Sequence, residues 1–586
     1  MTRGPFKPSF GLSGAVPSLD VFEGRGFRLP TFWTLDSVLP PGPHFSRAFC
    51  ARSGVLPSTT ECDNSQVPDS TTPPRSPVLR RSFRKDFPAA VRGEGVYLWD
   101  AANTKYLDFS GSAAVNFIGH GVPEISAAMT AQASRLEFVH TSQFTTPVAE
   151  AYAEEVLAFA GESFRGGAVY FTSGGSESIE TALKLARQYQ VEIGESRRYQ
   201  ILSRQQSYHG STLGALSVSG NQRRREIYVP MIREFAHVGT PYCYRCAFDC
   251  TDSCRNCGQQ YAAELDRAIA ASDGEAAAFI FEPLSGATLG AVVPPPGYLQ
   301  SIAEICRRHG VLLIADEVMT GMGRTGRNFA VEHWLGQNLD EKNENEKSKN
   351  EKNRSEKNKN EKNGKKNIPP RRNPSPAPDI LVTAKGLSSG YAPLGAVIAS
   401  KKVIDAIANG SGAFLHGFTY NAHPISLAAG HAVLQHLQST NLIAAADSTR
   451  PGTVAAHLKQ ALQSLLDQDP RSADPRSADH LSDARHSSKA HRMIGDVRGL
   501  GLLWAVEFVA DQSSKRPFPA ELNFAGRVAA AAMHRGLLVY PMQGCVDGTS
   551  GDHLLLAPPA VITQEEITWS VTQLRAAVDE AASSLR

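Results

Sequence analysis

Four separated segments carry residues whose chemistry would fit together. Lys385 follows directly on an apolar run in Leu381-Val-Thr-Ala-Lys385-Gly-Leu387. It should project at the C-terminal edge of a strand, where open α/β sheets bind ligands. Partly desolvated beside a cationic ring, it would serve as nucleophile and base. Asp316 closes the buried run of Leu313-Ile-Ala-Asp316-Glu-Val318. A carboxylate there is costly unless a cation meets it. A protonated pyridine nitrogen would be such a cation, and the paired ring could withdraw electrons from a carbanion. Ser173-Gly-Gly-Ser176 lies between a strand and a helix, where bare N–H groups and the helix dipole favour a phosphate. Tyr208, in Tyr208-His-Gly210, offers a ring to stack on a planar group. Each also has a plainer reading: a snorkelling lysine, an Asp held by an Arg, a turn capped by Ser176, a core tyrosine.

The elements that must position these residues follow from periodicity. Ala168-Val-Tyr-Phe-Thr172 reads as a strand, and Ile179, Ala182, Leu183 and Ala186 place an apolar stripe on a helix from about Ser178 to Gln190. Strands are expected at Tyr199 to Leu202, Ala276 to Phe281, Val311 to Val318 and Asp379 to Ala384, with a helix from Tyr298 to His309 closed by Gly310. Strands alternating with helices imply a mainly parallel α/β sheet. Upstream, Gly95 to Asp100 and Lys105 to Phe109 alternate as two paired strands. The part after residue 400 reads as α+β, with helices near 424–437 and 522–535 and strands near 502–509 and 553–557.

Domain organisation follows composition. Residues 1–82 hold twelve of the 36 prolines before residue 80 and no sustained period, so they read as a disordered extension. Residues 83–147 would open a small domain, 148–399 form a large cofactor-binding domain, and 400–586 complete the small one. Two low-complexity inserts, 338–376 and 467–490, read as solvated loop expansions; Asp340 to Asn367 has no apolar side chain at all. The chain has 586 residues, 41% apolar, 20% charged, with a net charge of +2, which gives no field directed at nucleic acid or membrane. No run approaches the roughly 18 apolar residues of a spanning helix. Nine unevenly spread cysteines are not a secreted disulfide scaffold, so a cytoplasmic location is expected, with a mitochondrial address as the alternative reading of the Arg-biased start.

The order of the motifs narrows the reading. Ser173-Gly-Gly-Ser-Glu177, Tyr208-His-Gly210, Asp316-Glu-Val-Met-Thr-Gly-Met-Gly-Arg-Thr-Gly326, Thr383-Ala-Lys-Gly-Leu387, Gly417-Phe-Thr-Tyr-Asn-Ala-His-Pro424 and Ala557-Pro-Pro-Ala-Val-Ile-Thr563 resemble, in that order, the class-III or ω-aminotransferases. The resemblance runs from about residue 85 to the C-terminus, apart from the inserts. It implies the type I pyridoxal-phosphate fold, like that of aspartate aminotransferase, with pyridoxal 5'-phosphate as cofactor. It further implies that Lys385 forms the internal aldimine and moves the proton, that Asp316 pairs with the pyridine nitrogen, that Tyr208 and Val318 flank the ring, and that Gly175 and Ser176 bind the phosphate. Thr419 would reach the phosphate of a neighbouring subunit, making a homodimer with shared sites. The implied reaction is ping-pong transfer of an amino group from an amine or ω-amino acid donor to a keto acid.

The donor stays open. No arginine lies between Leu537 and Leu574, where some family members grip a carboxylate; that segment offers His553 and Gln564, and Arg498 matches a family motif without a substrate role. The same fold and lysine also serve phospho-lyases, aminomutases and a decarboxylase, and a degenerate non-catalytic relative is the remaining alternative. Cys243, Cys246, Cys250, Cys254 and Cys257 are spaced like zinc thiolates, but the spans are short and the ligands one too many, so reduced buried thiols or a local disulfide stand beside zinc; no metal is assigned to the active site.

Overall fold

A computed structural model describes residues 76–83, 85–248, 257–335, 377–467 and 490–585. Most of the N-terminal extension and the bodies of both inserts lie outside the described residues, and with them the expectations made for those segments. The chain divides into a unit of Met1–Arg84 and a unit of Lys85–Arg586. The described part of the first holds bends without helix or strand, so all strands and helices among the described residues belong to the second.

In chain order the strands are β1 (Ala90–Glu94), β2 (Tyr97–Asp100), β3 (Lys105–Asp108), β4 (Ala168–Thr172), β5 (Gln200–Arg204), β6 (His237–Val238), β7 (Ala276–Phe281), β8 (Leu312–Asp316), β9 (Ile380–Thr383), β10 (Gly395–Ala399), β11 (Ile494–Leu500), β12 (Leu503–Phe508), β13 (Leu537–Leu538), β14 (Tyr540–Gln543) and β15 (Asp552–Leu556). The central sheet has seven strands in the order β4-β10-β9-β8-β7-β5-β6. β7, β8, β9 and β10 are buried at every position, which is why they read as unbroken apolar runs instead of alternating ones. β5 through β9 pair in parallel. β10 runs antiparallel to both β4 and β9. The sheet is therefore mainly parallel, as the sequence implied, with one reversed strand that the sequence pattern does not announce.

Two helices flank the chemistry. α1 (Gly175–Glu192) follows β4 and buries Ile179, Ala182, Leu185, Ala186 and Tyr189 on one stripe. α2 (Tyr298–His309) precedes β8 and ends at Gly310, whose left-handed φ of 66° lets its N–H turn back to the Arg307 carbonyl. β8 stops at Asp316, two residues short of the Val318 expected, so Glu317 and Val318 belong to the turn after it.

Two smaller four-stranded sheets complete the unit, β1-β2-β3-β13 and β11-β12-β15-β14. β13 pairs in parallel with β3, Leu537 opposite Leu107, so segments more than four hundred residues apart share one sheet. Beside β3, four consecutive residues, Gly111 to Ala114, hold φ between 51° and 66°. This left-handed turn is unfavourable for L-residues, by about 1–2 kcal/mol each. Buried Asp108 holds it, accepting from Ser110 Oγ (2.8 Å), Ser112 N (3.0 Å) and Ser112 Oγ (2.7 Å).

One side chain fastens three distant segments. The Arg324 guanidinium is buried and donates to the carbonyls of Ala557 (3.0 Å), Pro558 (2.7 Å) and Asn116 (2.8 Å). The arginine of the Gly-Met-Gly-Arg run and the Ala-Pro-Pro run thus meet as a tether. Among the described residues no helix is long and apolar enough to cross a membrane.

Candidate active site

A cavity of about 320 Å³ opens where the C-terminal ends of β4, β8 and β9 meet the loop after β5. Gly175, Ser176, Tyr208, Asp316, Val318 and Lys385 all line it. They arrive from four segments spread over more than two hundred residues, and six of the seven residues singled out from the sequence share this space. The seventh, Thr419, lies exposed and is not part of this wall.

The glycines determine how closely the walls approach. α1 starts at Gly175 behind Gly174, whose bare backbone provides no capping side chain, so the first N–H groups are open to an anion. A methyl on Gly175 would press on Val318 Cγ1 at 3.1 Å. Gly210, at φ 142°, lets the loop after β5 lie against the same helix end, where a methyl would meet Ser176 Oγ at 2.7 Å. Ser211 N then donates to Ser176 Oγ (3.0 Å), and the Tyr208 and Ser211 hydroxyls bond at 2.9 Å.

Asp316 is buried at the end of β8. Its Oδ2 lies 2.7 Å from His209 Nδ1, and its Oδ1 accepts from Val318 N at 3.0 Å. Among the described residues, His209 Nε2 and Glu282 Oε2 are buried in the same region without hydrogen-bond partners. Burial, reinforced by the negative charge of Asp316, holds the Glu282 carboxyl above its ordinary range. Neither His209 nor Glu282 has a role assigned from sequence. The signal for His209 lies inside the Tyr-His-Gly run; Glu282, at the end of a strand, has the same placement as Asp316.

Lys385 sits just past β9, at a left-handed φ of 45° that a residue with a Cβ adopts only under constraint. Burial pulls its ammonium down from 10.5 to about 8; Asp316 and Glu282 oppose the shift, Arg324 and Arg224 add to it. An amine titrating there is partly neutral near pH 7 and can attack a carbonyl. A helix end open to phosphate, a buried carboxylate awaiting a cation, and a depressed lysine together fit pyridoxal phosphate.

The cysteine cluster stands apart. Cys250 and Cys254 lie outside the described residues. Among the described residues no group of three His, Cys, Asp or Glu side chains has an arrangement able to hold a metal ion.

Comparison with known proteins agrees with this geometry. The family model "Aminotransferase class-III" matches residues 81–340 and 373–478. The chain is 34% identical over 493 residues to the uncharacterized aminotransferase YodT of Bacillus subtilis, covering 84% of this chain and 94% of that protein. It is 30% identical over 516 residues to the diaminobutyrate–2-oxoglutarate transaminase of Halomonas elongata, covering 86% and 94%. Among solved structures, an (S)-enantioselective ω-transaminase from Thermomicrobium roseum is 32% identical with a TM-score of 0.67, covering 85% of this chain and 93% of that one. A pyridoxal-phosphate-bound amine transaminase from an uncultivated Pseudomonas species is 30% identical with a TM-score of 0.69, covering 88% and 99%.

Proposed function

Since this chain belongs to the class-III aminotransferases, pyridoxal-phosphate-dependent transaminases, we propose that it moves an amino group from an amine or ω-amino acid to a keto acid in two half-reactions at the Lys385 cavity. The observation that carries the reading is the joint placement of a depressed lysine amine and a buried carboxylate in one cavity. When bound, the cofactor would supply the electron sink that stabilises a carbanion at the substrate carbon.

Each residue then has a task. Gly175 and Ser176, with the N-terminus of α1, would hold the phosphate. Asp316, oriented by His209, would keep a proton on the ring nitrogen. Tyr208 and Val318 would restrain the ring. Lys385 Nζ would bind the cofactor covalently at rest; freed by the incoming amine, it would carry a proton between the substrate carbon and the cofactor. Asp316 and Glu282 form the buried side of the cavity.

We also propose a homodimer in which Thr419 serves the partner's site. The support is an exposed apolar surface around it: Leu415, Tyr420 and Phe144 are exposed. Phe138 packs edge-on to Tyr420, and Thr141 bonds Asn421 at 2.9 Å, so the two segments form one surface. A cytoplasmic enzyme fits the uneven, non-secretory cysteine spacing.

The test is spectroscopic. The visible absorbance of the purified holoprotein should bleach with donor amine and return with pyruvate or 2-oxoglutarate, one keto acid consumed per amine. A band that bleaches without acceptor consumption would move the reading to a lyase, mutase or decarboxylase.

The lowered lysine gives a pH prediction. Only neutral Lys385 attacks the cofactor carbonyl, so capture of pyridoxal phosphate by cofactor-free protein should accelerate as pH rises and level off above about 8. Stopped-flow absorbance across a pH series from below to well above that value measures it; acceleration that never levels off would contradict a depressed amine.

A further inference from the structure

Three consecutive arginines, Arg223, Arg224 and Arg225, sit on the short helix Gln222–Arg225. That helix is firmly placed: the buried Asn221 side chain accepts from Arg224 N (3.2 Å) and donates to Gln206 Oε1 (3.2 Å). Two of the guanidinium groups are engaged. Arg223 donates to Gln543 Oε1 on β14 at 3.0 Å, and Arg225 pairs with Glu234 at 3.0 Å. Arg224 differs. Its guanidinium lies 4.3 Å from the centroid of the Tyr208 ring, and among the described residues it makes no ion pair. It is half-buried on an otherwise polar helix.

Arg224 adjoins the cavity through Tyr208, whose ring forms part of its wall, and the cavity lining itself offers a carboxylate no guanidinium. Its lining basic residues are Lys385 and His209, and its lining carboxylates, Glu282 and Asp316, repel one. The segment from Leu537 to Leu574 contributes no arginine. The Tyr208 wall is the solvent-facing side, since Ser211, bonded to the Tyr208 hydroxyl, is exposed. A guanidinium resting over an aromatic ring keeps its in-plane N–H edge free, and that fork matches a carboxylate. The positive charge of Arg224 is also felt at Lys385, so the two groups lie within electrostatic reach of each other.

We propose that Arg224, stacked on Tyr208, is the specificity-determining side chain that binds the carboxylate of the keto-acid acceptor. This rests on the aminotransferase reading and adds to it the residue that selects an acid. The cofactor phosphate is the other oxyanion this guanidinium could serve, and the two sources separate by experiment.

The test compares Arg224→Gln and Arg224→Lys with the native holoenzyme. For Arg224→Gln, kcat/KM for pyruvate should fall about 30-fold, the scale of one lost charged hydrogen-bond pair, while kcat/KM for the neutral acceptor acetone falls less than threefold. Arg224→Lys should recover part of the pyruvate loss. Calorimetric titration with glutarate, an unreactive dicarboxylate, should show weaker binding in Arg224→Gln by a similar factor. Equal losses for pyruvate and acetone together with a raised dissociation constant for pyridoxal phosphate would assign Arg224 to the phosphate and overturn the proposal. Unchanged discrimination between the two acceptors would overturn it as well. If native holoenzyme shows no keto-acid turnover at all, the aminotransfer reading itself fails, and the glutarate titration then decides whether Arg224 binds carboxylates.

Discussion

Lys385→Ala should fold, bind pyridoxal phosphate without a covalent bond, and lose turnover by at least about a thousandfold. Lys385 is the single lysine lining the cavity among the described residues, and no other lining side chain combines a nucleophilic nitrogen with access to the cofactor carbonyl and to the substrate carbon. His209 is committed to Asp316. Loss of both the covalent link and the proton carrier therefore has no substitute from within the site. Steady-state rates on a reactive amine, with the visible spectrum, measure it; turnover within tenfold of native would remove Lys385 from the mechanism.

The same lysine carries a stability effect of opposite sign. Its amine titrates near 8 in the folded protein against 10.5 unfolded. Between those values the unfolded chain binds more protons, so stability contributed by this group rises with pH through that window. Below pH 8 the full penalty applies, at most about 3 kcal/mol from 1.36 kcal/mol per pKa unit. Cofactor-free Lys385→Met should accordingly be more stable than cofactor-free native protein at pH 7, and the advantage should shrink as pH approaches 10.5. Thermal unfolding at both pH values reads this directly.

Asp316→Asn should lower kcat by about 100-fold to 1,000-fold while cofactor still binds. The carboxylate is buried, bonded to His209 and to Val318 N, and its charge is what would keep a proton on a ring nitrogen. An amide keeps the shape but not the charge. The loss belongs in kcat, because the electron sink acts after substrate is bound, and the dissociation constant of the cofactor should change by less than the rate. Native turnover in Asp316→Asn would detach this residue from the ring.

Much of this site was legible in the sequence because chemistry here is carried by residues at strand ends. Lys385 and Asp316 each follow an apolar run, and Gly174-Gly175 punctuates a strand-to-helix turn, so position and role are written in neighbouring residues. Other features depend on tertiary context. β10 begins right after Gly390-Tyr-Ala-Pro-Leu, a segment whose turn residues masked a buried strand. The left-handed turn at Ser112, Ala113 and Ala114 has no local signature, since serine and alanine do not favour positive φ; the bonds to Asp108 impose it. Arg224 is one charge among three until the packing of its neighbours leaves it over Tyr208. Pairing of β13 with β3 joins residues more than four hundred apart, a separation no periodicity can announce.

Arg324 also bears on the order of synthesis. It binds a carbonyl 208 positions before it and two carbonyls 233 and 234 positions after it. Val115, a wall of the cavity, neighbours the first of these, and the last two are near the end of the chain. A nascent chain stopped short of β13 would hold every strand of the central sheet, Lys385, Asp316 and the Arg324–Asn116 bond included, yet lack the Ala557 and Pro558 carbonyls that complete the anchor beside the Val115 wall. Contacts of such long range form late. Pyridoxal phosphate offered to ribosome-stalled chains should therefore be retained only once residue 558 has emerged from the exit tunnel; retention by chains ending near residue 500 would show the cavity to be complete without its tether.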